Sequence, residues 1–432
     1  VQKAFKVKHL ASRIPHDNVK RMPENSARIY LLVVLTSINL VNYLDRFIIS
    51  ALLPLISADL HLTDAQLGFL HTAFTFSYAL AAPFLGFLGD RMDRKWLASA
   101  TVFLWSLATG FSGLARSYGT LLGVRACVGI GEAGYGPVSP TLISDSYSEK
   151  VRSRILSIYY IGTPVGGALG YILGGHLGHR FGWRTAFLVA AVPGLLLAVM
   201  ALFIKEPRRH TVTVEHPSFR ETLVTLARTR SFVLNVLGTA ALTFATVGLA
   251  YWFPTFLSRM RGWKLQQATQ VFGAITVMAG IAGTLFGGFI ADLWHKENRK
   301  AYFYVAAIGM LLAVPLSICA LFIHNKAWIS PFVFLTEFFL FFNISPLNAA
   351  IISVVHPRMR ATAMAMNILL IHVLGDAVST LVIGKISDIT GSLTAGMMIG
   401  PIAIMAGGLI LILGAGQLVR DQDRMRTMMS KL

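Results

Sequence analysis

Residues 29–55, 67–88, 96–115 and 393–418 are apolar runs that each come near the ~20 residues a helix needs to cross a bilayer. Inside a bilayer every backbone polar group must be satisfied internally, and long apolar runs without alternation do this as helices. Only 13% of the 432 residues are charged, against roughly 25% in a soluble domain. The pattern predicts an all-α membrane protein of twelve spans, at 28–55, 65–89, 96–115, 119–142, 154–178, 184–204, 231–256, 266–291, 301–323, 329–353, 359–384 and 393–418. Residues 1–27 are polar and basic, lack the apolar core of a cleavable signal, and read as a tail, as do residues 419–432.

The formal charge of +18 would suit a nucleic-acid partner if the cations formed one patch. Instead, most of the Lys and Arg fall in the tails and in alternate loops, among them Arg91/Arg94/Lys95, Lys150/Arg152/Arg154 and Lys205 to Arg230. That asymmetry is the positive-inside rule, and it predicts that both termini are cytoplasmic, with no nucleic acid bound. Cys127 and Cys319 have neither metal-site nor disulfide spacing and are expected to be small buried packing residues.

The chain reads as two copies of one unit, 28–204 and 231–418, joined by a polar linker at 205–230 that contains Pro207 and Pro217. Gly86-Phe87-Leu88-Gly89-Asp90 recurs as Gly288-Phe289-Ile290-Ala291-Asp292, Ser139-Pro140 as Ser345-Pro346, and Arg152-Ser153-Arg154 as Arg358-Met359-Arg360, at a nearly constant offset. Copies separated by six spans keep the same orientation, the relation between the two halves of major facilitator transporters.

Gly129-Ile130-Gly131-Glu132-Ala133-Gly134 fits the dinucleotide fingerprint, but no strand precedes it and it lies inside a span, so its glycines are expected to admit a neighbouring helix. No phosphate loop and no catalytic or metal-ligand signature occurs; neither an enzyme nor a cofactor nor a metal is expected. Gly162, Gly166, Gly170 and Gly174 make a smooth stripe on one face of span five, suited to close packing and to sliding as the halves rock. The turn Gly86 to Lys95 suits a cytoplasmic gate, with Asp90 placed to cap a helix, Arg91 beside it, and Arg94 placed to pair with Asp145.

Ionisable residues within spans carry the strongest functional signal, because each costs several kcal/mol unless it faces protein or water. Asp45 and Arg46 interrupt span one; Arg125 and Glu132 interrupt span four at overlapping depth and on one helical face. These four are the primary candidates for a substrate and proton site. Glu337, near the repeat position of Glu132, and the i, i+4 pair His372 and Asp376 are secondary candidates, and His71 is a weaker one. A purely structural ion-pair network is the competing reading of the first cluster.

Residues 42–47 (Asn42-Tyr43-Leu44-Asp45-Arg46-Phe47), 89–95, 125–133, 140–145, 152–160 and 164–171 (Pro164 to Tyr171) together resemble the Spinster family of major facilitator transporters. The resemblance covers Leu31 to about Tyr171; Asp93 stands where the superfamily pattern usually has glycine. It implies two pseudo-symmetric six-helix bundles working by alternating access, a small lipid-like or amphiphilic anion as substrate, and proton coupling as suspected in parts of the family. Short loops suggest a bacterial member, a monomer in the inner membrane among its lipids. In that frame Asp45 or Glu132 accepts the proton, Arg125 receives the substrate anion and Arg46 orients the acids. A drug or organic-acid porter of the same fold is the nearest alternative, ahead of a channel, scramblase or receptor. The aromatic stretches 251–253 and 338–342 are expected either to border a lateral opening for lipid or to form ordinary lipid-facing surface.

Overall fold

The computed structural model describes residues 25–206, 219–356 and 359–429. Residues 1–24 of the predicted N-terminal tail, the middle of the linker, Arg358 and residues 430–432 therefore lie outside the described residues, while residues 419–429 of the predicted C-terminal tail continue the last helix. Six helices build the first half: α1 (Asn25–Leu60), α2 (Asp64–Arg91), α3 (Arg94–Ser112), α4 (Tyr118–Ser146), α5 (Glu149–Phe181) and α6 (Trp183–Leu202). A short helix, α7 (Phe219–Arg228), stands within the predicted linker. The second half contains α8 (Arg230–Arg261), α9 (Leu265–His295), α10 (Ala301–Phe322), the paired α11 (Lys326–Phe341) and α12 (Ile344–Val354), α13 (Arg360–Ile371) and α14 (Ala377–Thr390), and finally α15 (Leu393–Met397) with α16 (Ile399–Met429). A π-helical turn, His372–Asp376, joins α13 to α14.

Ten of these segments are long and apolar enough to cross a membrane unaided, with α11–α12, α13–α14 and α15–α16 each counting as one. The other two of the twelve, α3 and α4, fall short for a physical reason. Buried Ser99, Thr101, Ser106, Thr109 and Ser112 on α3, and Arg125 and Glu132 on α4, spend hydropathy on interior polar contacts.

The pairing of helices repeats between the halves: α1 packs on α5, α2 on α4 and α3 on α6, while α8 packs on the α13–α14 crossing, α9 on α11 and α10 on α16. A charged contact repeats as well. Arg94 at the start of α3 donates to Glu206 just after the sixth helix at 2.8 Å, and Arg299, just before α10, donates to Asp423 on α16 at 2.6 Å.

One end of the molecule carries Arg91, Arg94, Lys95, Lys205, Arg228, Arg299, Lys300 and Arg424 and both ends of the described chain; it is the basic face, and the other is the far face. At the far face Gly262 closes α8 in the left-handed conformation that favours glycine.

The glycine stripe of α5 lies against α1 within one half: a side chain on Gly166 would strike the Leu40 carbonyl, and one on Gly170 the Leu44 carbonyl. It sets the spacing that holds Asp45 and Arg46 in place rather than a seam between the halves. The glycines of 129–134 likewise admit α2 at the Phe74 carbonyl and α3 at Trp105. Two expectations are corrected. Cys127 and Cys319 are exposed on the outer surface, because small thiols pack as readily against lipid as against helices. Tyr251, Trp252 and Phe253 are buried, since the Tyr251 hydroxyl donates to the Leu67 carbonyl across the halves at 2.8 Å and the Trp252 indole to Thr380 at 3.0 Å.

Contacts between the halves gather toward the far face. Asp388 of α14 accepts the amides of Asp64 and Ala65 at the start of α2, at 2.9 and 2.8 Å, and so occupies the N-terminus of a helix from the other half. Asp64 in turn accepts from Arg259 at 2.6 Å and from Ser387 at 2.7 Å. Tyr171 donates to the Ala250 carbonyl, and Gln266 meets His176. Toward the basic face α2 and α13 part: Leu80, Phe84 and Phe87 on α2 are exposed, and among the described residues no atom stands within 4 Å of a side chain placed at Gly86. The halves are closed at the far face and open at the basic one.

Candidate functional site

Adjacent residues on a helix point about 100° apart, and this separates Asp45 from Arg46. Asp45 is fully buried and turns toward α3, where the Thr109 hydroxyl donates to its Oδ2 at 3.2 Å; its Oδ1 has no hydrogen-bond partner among the described residues. Arg46 turns toward α4 and donates from Nε to Glu132 Oε2 at 2.5 Å. Its guanidinium lies over the rings of Tyr43, Phe74 and Tyr78 at 5.2, 5.4 and 5.0 Å, contacts that stabilise a cation where water is scarce. Arg46 keeps 19% of its side chain exposed while Glu132 behind it is sealed. The arginine therefore faces the opening.

Arg125 sits about 10 Å nearer the far face than Glu132 on the same helix. It is completely buried, and none of its nitrogens has a hydrogen-bond partner among the described residues. Its guanidinium lies 5.1 Å from the centre of the Phe74 ring, within electrostatic range of Glu132, Asp45 and Arg46. Four ionisable groups thus meet as one hydrogen-bonded ion pair, one acid on a threonine, and one arginine that touches no acid among the described residues.

The secondary candidates divide. Asp376 accepts from His372 across the π-turn at 2.6 Å, and its other oxygen meets His71 of α2 at 2.6 Å and Thr75 at 3.3 Å. His71 is the residue that the chain read as a string undervalues: nothing in its own surroundings marks it, and only packing of α2 on the π-turn makes it a partner. Glu337 lies apart, buried on α11 beside a cavity of about 20 Å³ whose walls include Ser317 and Thr336.

At the basic face Arg94 donates to Asp145 and to Glu206, both at 2.8 Å, joining α3, α4 and the end of α6 within the first half. Glu206 was not predicted, because it sits in the linker composition. Arg91 lies over the ring of its own neighbour Phe87 at 4.0 Å, and the side chain of Asp90 lies outside the described residues. Asp93 has φ −63°, so the position needs no glycine. With Asp145 about half exposed, Arg94→Ala is expected to cost about 2 kcal/mol, below the ~3–5 kcal/mol of a fully buried pair. Thermal unfolding in detergent measures it, with Arg91→Ala as the control that changes little.

The Major Facilitator Superfamily profile matches residues 35–379. Protein spinster of Drosophila melanogaster is 34% identical over 375 residues, which cover 83% of this chain and 62% of the fly protein. Spinster homolog 1 of Homo sapiens is 37% identical over 385 residues, covering 83% of this chain and 72% of the human one. The chain belongs to the Spinster family of the Major Facilitator Superfamily. Among solved structures, a bacterial homolog to the human lysosomal transporter Spinster, in an inward-facing and unoccupied conformation, superposes with TM-score 0.78 at 24% identity, over 94% of this chain and 98% of that one. A D-xylose-proton symporter matches with TM-score 0.73 at 14% identity, over 89% and 97%. These last likenesses are of fold. This Spinster-family chain is accordingly an integral membrane transporter with the alternating-access fold, and its relatives are transporters rather than enzymes.

Proposed function

We propose that this Spinster-family chain is a secondary active transporter for a lipid-like or amphiphilic anion, coupled to protons, with both termini cytoplasmic in a bacterial inner membrane. The observation that carries the reading is Arg125, a buried guanidinium with no hydrogen-bond partner among the described residues. Such a cation costs several kcal/mol and is kept where an anion or a proton step uses it. The excess of Lys and Arg at one face supports a cytoplasmic basic face, and the open state is then inward-facing. In that state Arg46 faces the cavity while Arg125 waits beneath the closed seam. Protonating Glu132 releases Arg46 from its partner and leaves it free to grip a carboxylate or phosphate in a bidentate way. Asp45, with one oxygen unpartnered, is the second proton acceptor. Rings at Tyr43, Phe74 and Tyr78 beside the arginine give the apolar part of an amphiphile a surface to lie on.

Counterflow of lysophospholipids and fatty-acid-like anions in proteoliposomes, measured against internal and external pH, tests this. Asp45→Asn and Glu132→Gln are expected to flatten the pH dependence of uptake at matched expression. If both fold and keep wild-type rate and pH profile, the cluster is structural and the coupling scheme is wrong.

A further inference from the structure

A second cleft opens at the basic face, outside the transport site. It encloses about 360 Å³ between α7, the α12–α13 turn and the end of α16, many times the ~30 Å³ of a water molecule. Its floor is apolar: Leu226, Val354, Val355 and Met359 are nearly fully buried there, and Met425 and Met428 form one wall. Arg228 of α7 and Arg424 of α16 line its polar side, and neither makes an ion pair or hydrogen bond among the described residues.

The neighbouring acids are already engaged. Asp421 accepts the Ser231 amide at 2.8 Å and Gln417 at 3.2 Å, Asp423 holds Arg299, and Glu221 has a partner of its own. An apolar trough flanked by two guanidinium groups without an ion-pair partner among the described residues, at the level where a leaflet's head groups meet a basic protein face, has the chemistry of a phospholipid site. Arginine grips phosphate in a bidentate way, anionic head groups are drawn to basic faces, and methionine adapts to irregular acyl and glycerol shapes.

We propose that this cleft binds the head group of one anionic phospholipid from the leaflet at the basic face. The lipid bridges α7 and α16, so it ties the connection between the halves to the second half. The proposal stands apart from the substrate reading, since it needs no residue of the transport site.

Native mass spectrometry of the full chain in detergent with equimolar phosphatidylglycerol and phosphatidylcholine tests it. Wild-type protein is expected to retain one phosphatidylglycerol in preference to phosphatidylcholine. The Arg228→Ala/Arg424→Ala variant is expected to bind it about twenty-fivefold more weakly, at about fivefold for each cation near an anionic surface. Met428→Trp fills the trough without changing charge and is expected to weaken binding as well, while Arg426→Ala, whose side chain does not line the cleft, leaves it unchanged. Equal retention of both lipids by the wild type overturns the proposal. So does loss with the arginine variant but full retention with Met428→Trp, which would mean a diffuse field and no cleft. Displacement of the lipid by equimolar glycerol phosphate would reassign the site to a soluble organophosphate and overturn the lipid assignment.

Discussion

Arg125→Met is expected to lower transport by about a hundredfold or more while leaving thermal stability unchanged or raised. Most buried charges behave the other way. Removing one member of a buried ion pair strands its partner and costs ~3–5 kcal/mol, which is the expectation for Glu132→Ala because Arg46 would lose its hydrogen bond. Arg125 has no such partner among the described residues, so an apolar side chain of similar volume removes a desolvated cation and leaves no acid newly without a hydrogen bond. The transport loss corresponds to about 3 kcal/mol of anion binding in the transition between states, the strength of a charge-assisted hydrogen-bonded contact. Melting temperature in detergent and initial rates in proteoliposomes separate the two effects. A variant that melts much earlier would show that Arg125 holds the fold; one that transports normally would remove it from the mechanism.

Gly68→Val is expected to shift the conformational equilibrium toward the far-face-open state. A side chain at Gly68 would occupy the position of the Thr380 carbonyl, and one at Gly384 that of the Asp64 carbonyl. Both contacts cross between the halves where they are closed. The Thr380 hydroxyl also donates to the Gly68 carbonyl at 2.9 Å, so the two backbones have no room to separate locally. Overpacking of this kind costs ~1–3 kcal/mol, and only the closed state bears it, which shifts the population ratio by about fivefold to 150-fold. In a background with Cys127 and Cys319 replaced, a cysteine at Thr72, buried in the seam, should react faster with an impermeant thiol reagent after Gly68→Val. Unchanged labelling in a folded variant would mean that the seam at Gly68 is not what closes the far face.

Some of this protein follows from the chain read as a string. Apolar runs of bilayer length leave helices as the economical solution, the recurrence of Gly86 to Asp90 at Gly288 to Asp292 announces two like-oriented halves, and charges within apolar runs stand out because lipid tolerates so few. Asp45, Arg46, Arg125 and Glu132 were legible for that reason. Their pairing was not. Which of two adjacent residues meets α3 and which meets α4 depends on how α1 is rotated about its axis, and that rotation is set by packing of the α5 glycines on the backbone of α1. The same holds for His71, which becomes a partner of Asp376 only because a π-turn and a close α2–α14 seam bring three side chains together. Tyr251 and the two cysteines were misplaced for a related reason: hydropathy says that a residue is apolar, but not whether its apolar neighbour is lipid or another helix. Sequence alone set the number of spans, because the bilayer imposes a length. Only tertiary structure set their azimuth, and with it which charge is paired, which is exposed and which is left waiting.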